Sequence, residues 1–507
     1  MVDRRTFIGG LSAFGAGGCC GLFTGDDIAG INEKPLLRFG VISDVHVAVK
    51  SRDWDMPAAY DTKTLIAAFK YFRDQEVDAV VLAGDMAHHG IGHELLKVAE
   101  AWYSVFPDDR APDGRHVERI FITGNHDNGT HRAIRVLKDK ALAEANLICR
   151  NRDKWWREAF HEPFSPVWRK TVKGFDFIGC NWTVGDCRGK EEHFNNEIAA
   201  FYETLAGKLD PSKPFFHIQH PQPKATAHGE KVWGQDDGTT GRILAKYPNA
   251  VAFSGHSHTS LLDEKSIWQG SFTSCGTATL RNVNLHSPGA VEFPDGRGYE
   301  NSTTPNGKMR ELNELKAMES AVRDARQGQI VSVFADRMVF SRREFTAGLQ
   351  LGEDVVMPLP AAEHPVFAPL HRRNVSPVPQ FREGTKCTIT KEMGTLRKTD
   401  KTKKHIKAEV WRLEIPPADA IRNAMVVAYE AVAKNVKGED ERFAVTAYNN
   451  FCYAPGDKRR NRKAILKIAA SRLAEAPEFR VYAVNAWGAK SAPIQGYNLK
   501  RVEKLKG

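Results

Sequence analysis

The stretch AVAFSGHSHTS, residues 250–260, runs from an apolar segment into a glycine and then two histidines. His256 and His258 are separated by a single serine, and alternate residues of an extended segment point the same way. The two imidazoles can therefore reach toward one spot. An isolated His-x-His is most often a loop that happens to carry histidines, so its meaning depends on partners elsewhere in the chain.

Length and charge set broad limits on the protein. The chain has 507 residues, of which 42% are hydrophobic and 26% charged, which is ordinary for a soluble globular protein of more than one domain. Its formal net charge of +10 favours anionic partners such as phosphate esters, nucleic acid or an anionic surface, without choosing among them. The basic run at 396–407 lacks interleaved aromatics, which indicates a solvated hairpin tip. Nucleic acid is therefore a partner that the sequence allows but does not favour.

Residues 1–30 have the character of a targeting segment. Arg4 and Arg5 precede a mildly apolar, Gly-rich stretch, as in a bacterial twin-arginine export signal. We therefore predict an exported protein of the periplasm or cell envelope, with Cys19 or Cys20 as a weaker candidate for a lipid-modified anchor. In an oxidising compartment Cys180 and Cys187 could also form a disulfide, which the sequence does not decide.

Short apolar runs alternate with amphipathic patterns from residue 36 onward. LLRFGVIS, VDAVVLAG and VERIFITG are typical of buried strands, and the segments between them have helical periodicity. This alternation predicts an α/β core whose sheets are covered by helices. We assign this domain to residues 36–358.

The pattern changes beyond residue 358. Residues 359–378 form a Pro-rich connector, and residues 379–507 contain segments in which apolar and polar residues alternate with period two. This alternation predicts a smaller all-β sandwich domain. Its last strand, in EFRVYAVNAWGAKSAPI, resembles the closing strand of fibronectin type III domains.

Metal-competent side chains follow five of the predicted strands. In α/β sheets the carboxyl ends of the strands form the edge where ligands bind. Carboxylate, imidazole and amide groups without thiolate suit Mn, Fe or Zn, and a shared carboxylate suits a pair of ions about 3.5–4 Å apart. The five groups are Asp44-Val45-His46, Gly84-Asp85, Asn125-His126-Asp127, His220-Pro221 and Gly255-His256-Ser257-His258.

In this order the five groups resemble the pattern of the calcineurin-like metallophosphoesterases, D-x-H, G-D, G-N-H-[DE], H and G-H-x-H. The resemblance spans roughly residues 36 to 345 and implies a four-layer αββα sandwich. It further implies a first metal on Asp44, His46 and His258, a second on Asn125, His220 and His256, and Asp85 as the bridge. His126 would be the general acid.

The sequence departs from the family pattern at two places. The fourth group offers both His217 and His220, and strand alternation turns them to opposite sides, so only one should bind metal. We prefer His220 because it lies at the strand end. Some branches also carry an acidic residue three positions after the bridging aspartate, whereas this chain has His88. The orienting role of that residue passes to Asp127 or is absent.

The segment HGEKVWGQDDGTTG, residues 228–241, lies between the last two groups. It is either a rim that contacts substrate, through Trp233, Gln235, Asp236 and Asp237, or a plain connecting loop.

These features predict an exported phosphohydrolase that cleaves a phosphodiester or phosphomonoester by attack of a metal-bound hydroxide. Its cofactors would be two divalent or mixed-valence ions, Mn, Fe or Zn. A nuclease is an alternative within the same chemistry. A different class of alternative is an envelope-associated binding or adhesion protein with a vestigial metal domain. The natural substrate and the oligomeric state are left open by the sequence.

Overall fold

A computed structural model of the chain describes residues 33–48, 62–183, 192–230, 232–284, 309–311, 321–322, 325–398, 405–419, 425–447 and 462–498. The predicted signal segment, with Arg4, Arg5, Cys19 and Cys20, lies outside these residues, as does Cys187. The predictions that concern them therefore stay predictions.

Helices and strands alternate through the first part of the described chain, and strands dominate the last part. The α-helices are α1 Lys63–Asp74, α2 Gly92–Tyr103, α3 Thr130–Leu137, α4 Lys140–Asn146, α5 Arg152–Phe160, α6 Glu192–Thr204, α7 Thr239–Leu244 and α8 Pro369–Val375. The first strands are β1 Leu37–Ile42, β2 Ala79–Ala83, β3 Glu118–Ile122, β4 Val167–Val172, β5 Phe175–Cys180, β6 Phe215–Ile218, β7 Ala250–Ser254, β8 Ile267–Gln269 and β9 Thr273–Gly276. They are followed by β10 Val283–Asn284, β11 Met309–Glu311, β12 Ala321–Val322, β13 Gln327–Val333, β14 Arg337–Glu344, β15 Leu349–Gln350 and β16 Val355–Pro358. The last strands are β17 Cys387–Lys398, β18 His405–Ile415, β19 Val426–Lys434, β20 Asp440–Thr446, β21 Ala464–Ala469, β22 Arg480–Asn485 and β23 Ile494–Asn498.

Two mixed sheets form the α/β part. The first has the order β15-β14-β13-β1-β2-β3, with β16 also paired to β14. The second has the order β4-β5-β6-β7-β9-β8. The strands β1, β2 and β3 are parallel, and so are β5, β6, β7 and β9, whereas β4 and β8 are antiparallel edge strands. Within each sheet, the carboxyl ends of the parallel strands therefore lie at the same edge.

The alternation of side chains along β1 explains the layers. Phe39 points into the core between the sheets, where its ring centroid lies 4.8 Å from that of Phe216 and 5.3 Å from that of Phe177. Gly40 faces the other way, and the ring of Phe72 from α1 occupies the space that a β-carbon at residue 40 would need. One face of the first sheet thus packs on the second sheet, and the other face packs on helices α1, α2 and α5.

The second sheet is covered on its outer face by α6 and α7. Ile198 and Tyr202 of α6 and Leu244 of α7 share a core with Ile178 of β5 and Ala252 of β7. The order of layers is therefore helix, sheet, sheet, helix. This arrangement confirms the predicted four-layer αββα sandwich, which buries both faces of each sheet as parallel strands require.

The C-terminal part is all-β, as predicted. Strands β20-β19-β22-β23-β17-β18-β21 form one continuous sheet, to which β11 adds at β17. Residues from strands along the whole sheet share a single apolar core, for example Leu413 of β18, Phe443 of β20 and Val481 of β22. The likeness to fibronectin type III domains stays a prediction.

The Pro-rich connector is packed against both of its neighbours. Glu264, buried in the α/β part, accepts hydrogen bonds from Arg372 (2.7 Å) and from the hydroxyl of Ser376 (2.5 Å). That hydroxyl in turn accepts one from Asn485 of the C-terminal sheet (3.0 Å). Residues Leu36–Gly507 form one compact unit, and the predicted domain limits inside it stay predictions. No helix among the described residues combines the length and the apolar character needed to cross a membrane.

Candidate metal centre

The side chains that follow five strand ends meet at one edge of the α/β part. Three groups of three have ligand atoms within 4.8 Å of one another: Asp44, His46 and His258; Asp85, His220 and His256; and His46, His88 and His126. The first two groups consist of residues that the family resemblance assigns to metal. The amide oxygen of Asn125 lies 3.1 Å from Nε2 of His220. All seven residues that the family resemblance assigns to metal therefore lie in one cluster.

Asp85 belongs to the group with His220 and His256 and also faces the group with Asp44, His46 and His258. Its Oδ2 is 3.6 Å from Nε2 of His46 and 3.3 Å from Nε2 of His220. Its other oxygen accepts the backbone N–H of His126 at 2.7 Å, which fixes the carboxylate in this orientation. One carboxylate oxygen thus faces both groups of ligands.

Most of the cluster is held by strained backbone. A positive φ is uncommon for residues other than glycine and costs about 1–3 kcal/mol, and such residues concentrate at functional sites. Five of the seven residues have it: Asp44 (52°), His46 (53°), Asp85 (55°), His256 (68°) and His258 (56°). The turns after β1, β2 and β7 therefore place these side chains at a conformational cost.

Glycines beside the cluster allow its parts to approach one another. A β-carbon at Gly255 would contact the carboxylate of Asp44, and one at Gly84 would contact the imidazole of His220. Gly84 also has a φ of 91°, which side chains rarely tolerate. The glycines of the G-D and G-H-x-H groups thus have a packing reason as well as a place in the motif.

Backbone carbonyls set which nitrogen of two histidines faces the cluster. Nδ1 of His220 donates to the carbonyl of Ala83 at 2.8 Å, and Nδ1 of His258 donates to the carbonyl of Asn282 at 3.1 Å. In the neutral imidazole this leaves Nε2 as a lone pair directed at the cluster. Such outer hydrogen bonds are characteristic of histidines that bind metal.

The carboxylate of Asp44 also fits a cation. Its Oδ2 accepts hydrogen bonds from the hydroxyl of Ser43 (2.5 Å) and the backbone N–H of His256 (3.0 Å). Its Oδ1 is buried, has no hydrogen-bond donor among the described residues, and lies 3.1 Å from Nε2 of His258. A buried oxygen of this kind is costly unless paired. With imidazole, carboxylate and amide donors around it, the donor set fits a divalent metal.

The electrostatics favour positive charge at the centre. Burial lowers the pKa of His220, but the carboxylates of Asp85 and Asp44 outweigh it and raise the pKa to about 9. Burial raises the pKa of Asp85, yet His220 and His126 together hold it below the ordinary value. Two buried carboxylates therefore require a cation, which is a proton on His220 when metal is absent.

His126 lies at the edge of the cluster. Its ring centroid is 4.3 Å from that of His46, and its Nδ1 donates to the carbonyl of His88 at 2.9 Å. Its Nε2 is then the nitrogen left for chemistry. Burial lowers the pKa of His126 to about 3, with Asp85 acting in the opposite direction.

Asp127 is buried beneath the cluster. Its carboxylate accepts backbone N–H groups from Gly124 (2.6 Å), Ala87 (2.7 Å) and Met86 (3.3 Å). Burial and the neighbouring Asp85 raise its pKa to about 7. These contacts join the loop that carries Asp85 to the loop that carries Asn125. An orienting role toward His126 stays a prediction.

His217 lies apart from the cluster. Its two nitrogens contact the hydroxyl of Tyr202 (2.9 Å) and the amide oxygen of Gln219 (3.0 Å). Burial lowers its pKa to about 4. It belongs to the polar contacts on the helix side of the second sheet, whereas His220 lies with Asp85 and His256 in the candidate metal cluster. The preference for His220 as the metal ligand stays a prediction.

Arg281 was not predicted from the sequence as a site residue. Its guanidinium lies 3.5 Å from Nδ1 of His88, and that nitrogen lies 3.3 Å from Nδ1 of His46. His88, at the position where some family branches have an acid, thus connects an arginine to the cluster. His89 points elsewhere and pairs with Glu94 at 2.6 Å. Arg281 follows no recognisable motif, so only the fold brings it here.

The predicted rim segment does reach the cluster. The ring of Trp233 stacks on that of His256, with centroids 4.3 Å apart and an interplanar angle of 28°. Gln235 donates to the carbonyl of Glu230 within the segment. The side-chain oxygens of Gln235 and Asp236 accept the backbone N–H groups of Ala225 and Lys224, which lie just before the segment. The side chain of Asp237 accepts the N–H of Thr239.

Comparison with known proteins agrees with this geometry. The family model for calcineurin-like phosphoesterases matches residues 37–260, which cover all five groups of site residues. Together with the sandwich described above, this match identifies a calcineurin-like metallophosphoesterase domain in that part of the chain. No curated protein matches the sequence.

Solved structures of low identity resemble the chain. A dimetal phosphatase of Danio rerio is 12% identical, with a TM-score of 0.36, and the match covers 64% of this chain and 99% of that one. A purple acid phosphatase from yellow lupin is 13% identical, with a TM-score of 0.37, over 63% of this chain and 53% of that one. A predicted phosphoesterase of Streptococcus pneumoniae is 11% identical, with a TM-score of 0.24, over 64% and 97%. Likeness at these TM-scores transfers neither a substrate nor a residue role.

Proposed function

We propose that this protein is a phosphohydrolase that cleaves a phosphate ester with the help of two divalent metal ions. The observation that carries the proposal is the position of Asp85, whose Oδ2 faces His46 at 3.6 Å and His220 at 3.3 Å. A buried carboxylate oxygen between two sets of histidines is what a shared ligand of two cations requires.

The first ion would be held by Asp44, His46 and His258, and the second by Asn125, His220 and His256, with Asp85 contacting both. Oxygen and imidazole donors without thiolate suit Mn, Fe or Zn. When bound, such a pair lowers the pKa of water toward about 7 and stabilises charge on the attacking and leaving oxygens.

The residues around the cluster supply the remaining functions. His126 donates through Nδ1 to a carbonyl, so its Nε2 carries a proton only in the imidazolium form. The charge of a bound anionic ester would raise the pKa of His126 from about 3 and allow Nε2 to deliver a proton to the leaving alcohol. Arg281, beside His88, adds a fixed positive charge that would favour binding of an anionic ester. Asp127 and the strained turns keep the ligands in place before substrate arrives.

The test is a substrate panel with metal analysis on the same preparation. We expect about two metal ions per chain and turnover of p-nitrophenyl phosphate, bis-p-nitrophenyl phosphate or single-stranded DNA, which separates a monoesterase, a diesterase and a nuclease. Removal of metal by a chelator should abolish turnover, and added Mn²⁺ or Zn²⁺ should restore it. Two tightly bound ions with no activity on any ester would overturn the proposal and favour a binding protein.

We also propose export of the folded protein, on the basis of Arg4 and Arg5. Changing both arginines to lysine should leave the precursor in the cytoplasm of a bacterial host, as measured by fractionation. Normal arrival of the variant in the envelope would contradict the proposal.

A further inference from the structure

Trp233 is exposed to an unusual degree for its type. Its side chain is 69% exposed, and it is the one aromatic residue among the large, exposed hydrophobic residues in the described part of the chain. Burial of a large apolar side chain normally stabilises a fold. A tryptophan that stays exposed to solvent beside a polar centre therefore indicates a binding role.

The position of Trp233 is built into the segment. Gly234 follows it with a φ of 90°, and a β-carbon at residue 234 would contact the ring of His256. The amide of Gln235 donates to the carbonyls of Glu230 (2.8 Å) and Val232 (2.9 Å), while its oxygen accepts the N–H of Ala225 (2.9 Å). The segment is thus held in a shape that brings the indole against the imidazole.

One face of the indole is covered and the other is open. The covered face stacks on His256, whose Nδ1 lies 3.1 Å from Nε2 of His220 inside the cluster. Trp182, the other indole near His256, is only 7% exposed and its centroid is 6.5 Å from that of His256. The exposed indole face therefore belongs to Trp233, whose other face contacts the proposed metal ligand His256.

We infer that Trp233 is a specificity-determining residue that stacks on a flat aromatic group of the substrate, and that the preferred esters are nucleotides. This inference rests on the proposed function, because it places the phosphate at the metal cluster and the base on the neighbouring indole. Every base has a π-face, so an aromatic platform binds bases with little sequence preference. The net charge of +10 and Arg281 suit the phosphate of the same ligand.

Matched substrate pairs test the inference. Adenosine 5′-monophosphate and ribose 5-phosphate share the scissile ester and differ in the base. For a diesterase, thymidine 5′-p-nitrophenyl phosphate and methyl p-nitrophenyl phosphate form the equivalent pair. Trp233→Ala should lower kcat/KM about 10- to 100-fold on the substrate with a base and less than about twofold on its partner. Trp233→Phe, which keeps a ring, should recover most of the loss.

The control is Leu142→Ala, at an exposed apolar position of α4. This variant should leave kcat/KM unchanged on both substrates of a pair. Metal content is measured for every variant. Equal losses on both members of a pair, no loss on either, or loss of metal in Trp233→Ala would each overturn the inference. An oligothymidylate substrate is added to the panel. Turnover of the oligonucleotide indicates that the stacked base belongs to a strand end, and turnover of the mononucleotides alone indicates a free nucleotide.

Failure of the proposed function is a separate outcome. If the metal-loaded wild type hydrolyses neither member of a pair, the same ligands are compared by calorimetric binding. A 10- to 100-fold weaker dissociation constant for adenosine 5′-monophosphate in Trp233→Ala, with ribose 5-phosphate unchanged, would still support the stacking role. Equal binding of the nucleotide by wild type and variant would overturn it.

Discussion

His217 and His220 are three residues apart, and they lie in two different kinds of polar environment. Around His217 the hydrogen bonds are made: Tyr202 and Gln219 contact its two nitrogens, and Thr240 donates to the same amide oxygen of Gln219. Around His220, by contrast, several potential metal ligands face one point. Nε2 of His220 lies 3.3 Å from Oδ2 of Asp85 and 3.1 Å from the amide oxygen of Asn125.

The two environments show that buried polar groups can serve either stability or function. Buried polar groups stabilise a fold when every partner is present, as around His217. The cluster around His220 has a buried carboxylate oxygen on Asp44 that accepts no hydrogen bond from the described residues, and five residues with positive φ. Such features cost free energy in the protein alone, and a bound cation would offset them.

The largest expected effect comes from Asp85→Asn, which tests whether the cluster is a metal site at all. The variant removes the charge that faces both histidine groups, so we expect both metals to be lost and activity to fall about 10⁴-fold or more. Elemental analysis and kcat/KM measure the two losses. Full metal occupancy in Asp85→Asn would remove Asp85 from the bridging position.

The next effect compares the two histidines directly. His220→Ala should lose one of two metals and about 10³-fold of activity, because a ligand is missing. His217→Gln should keep both metals and lose less than about threefold. If His217→Gln also loses metal, the two environments are coupled and the distinction between them fails.

A smaller effect is expected for His126→Ala. Both metals should stay, and kcat/KM on alkyl phosphate esters should fall about 10²-fold, the lower end of the range for a positioned general acid. On p-nitrophenyl esters, whose leaving group departs as a stable anion, the loss should be much smaller. Equal losses on the two kinds of ester would show that His126 positions substrate and donates no proton.

The last prediction concerns the pH dependence of stability and leaves activity aside. The pKa of His217 in the folded chain is about 4, below the ordinary value of 6.5, because burial disfavours the charged imidazole. The neutral ring therefore stabilises the fold fully above pH 6.5, and that contribution, about 3 kcal/mol, is lost as the pH falls toward 4.

Urea denaturation of the metal-free wild type and of His217→Gln, from pH 8 to pH 4, measures this contribution. The wild type should lose stability more steeply than the variant below pH 6.5, and the gap between them should be constant above it. Parallel curves over the whole range would show that His217 does not titrate with the expected shift.

Much of the fold follows from periodicity along the chain. In β1, Phe39 and Gly40 face opposite layers because side chains alternate in a strand, and the alternation of strands and helices predicts covered sheets. The C-terminal strands follow from period two in the same way. The connector was predicted only as Pro-rich; its contacts between Glu264, Ser376 and Asn485 join segments more than a hundred residues apart.

The sequence by itself determined which side chains could reach the candidate metal cluster, from Asp44 to His258, because residues that follow parallel strands converge at one sheet edge. Only the tertiary structure decided how they are held and what surrounds them. The positive φ angles, the carbonyls that orient His220 and His258, Arg281 beside His88, and Trp233 on His256 all depend on loops that meet across the fold. Local propensity describes each loop separately, whereas the contacts between loops exist only after the two sheets have packed.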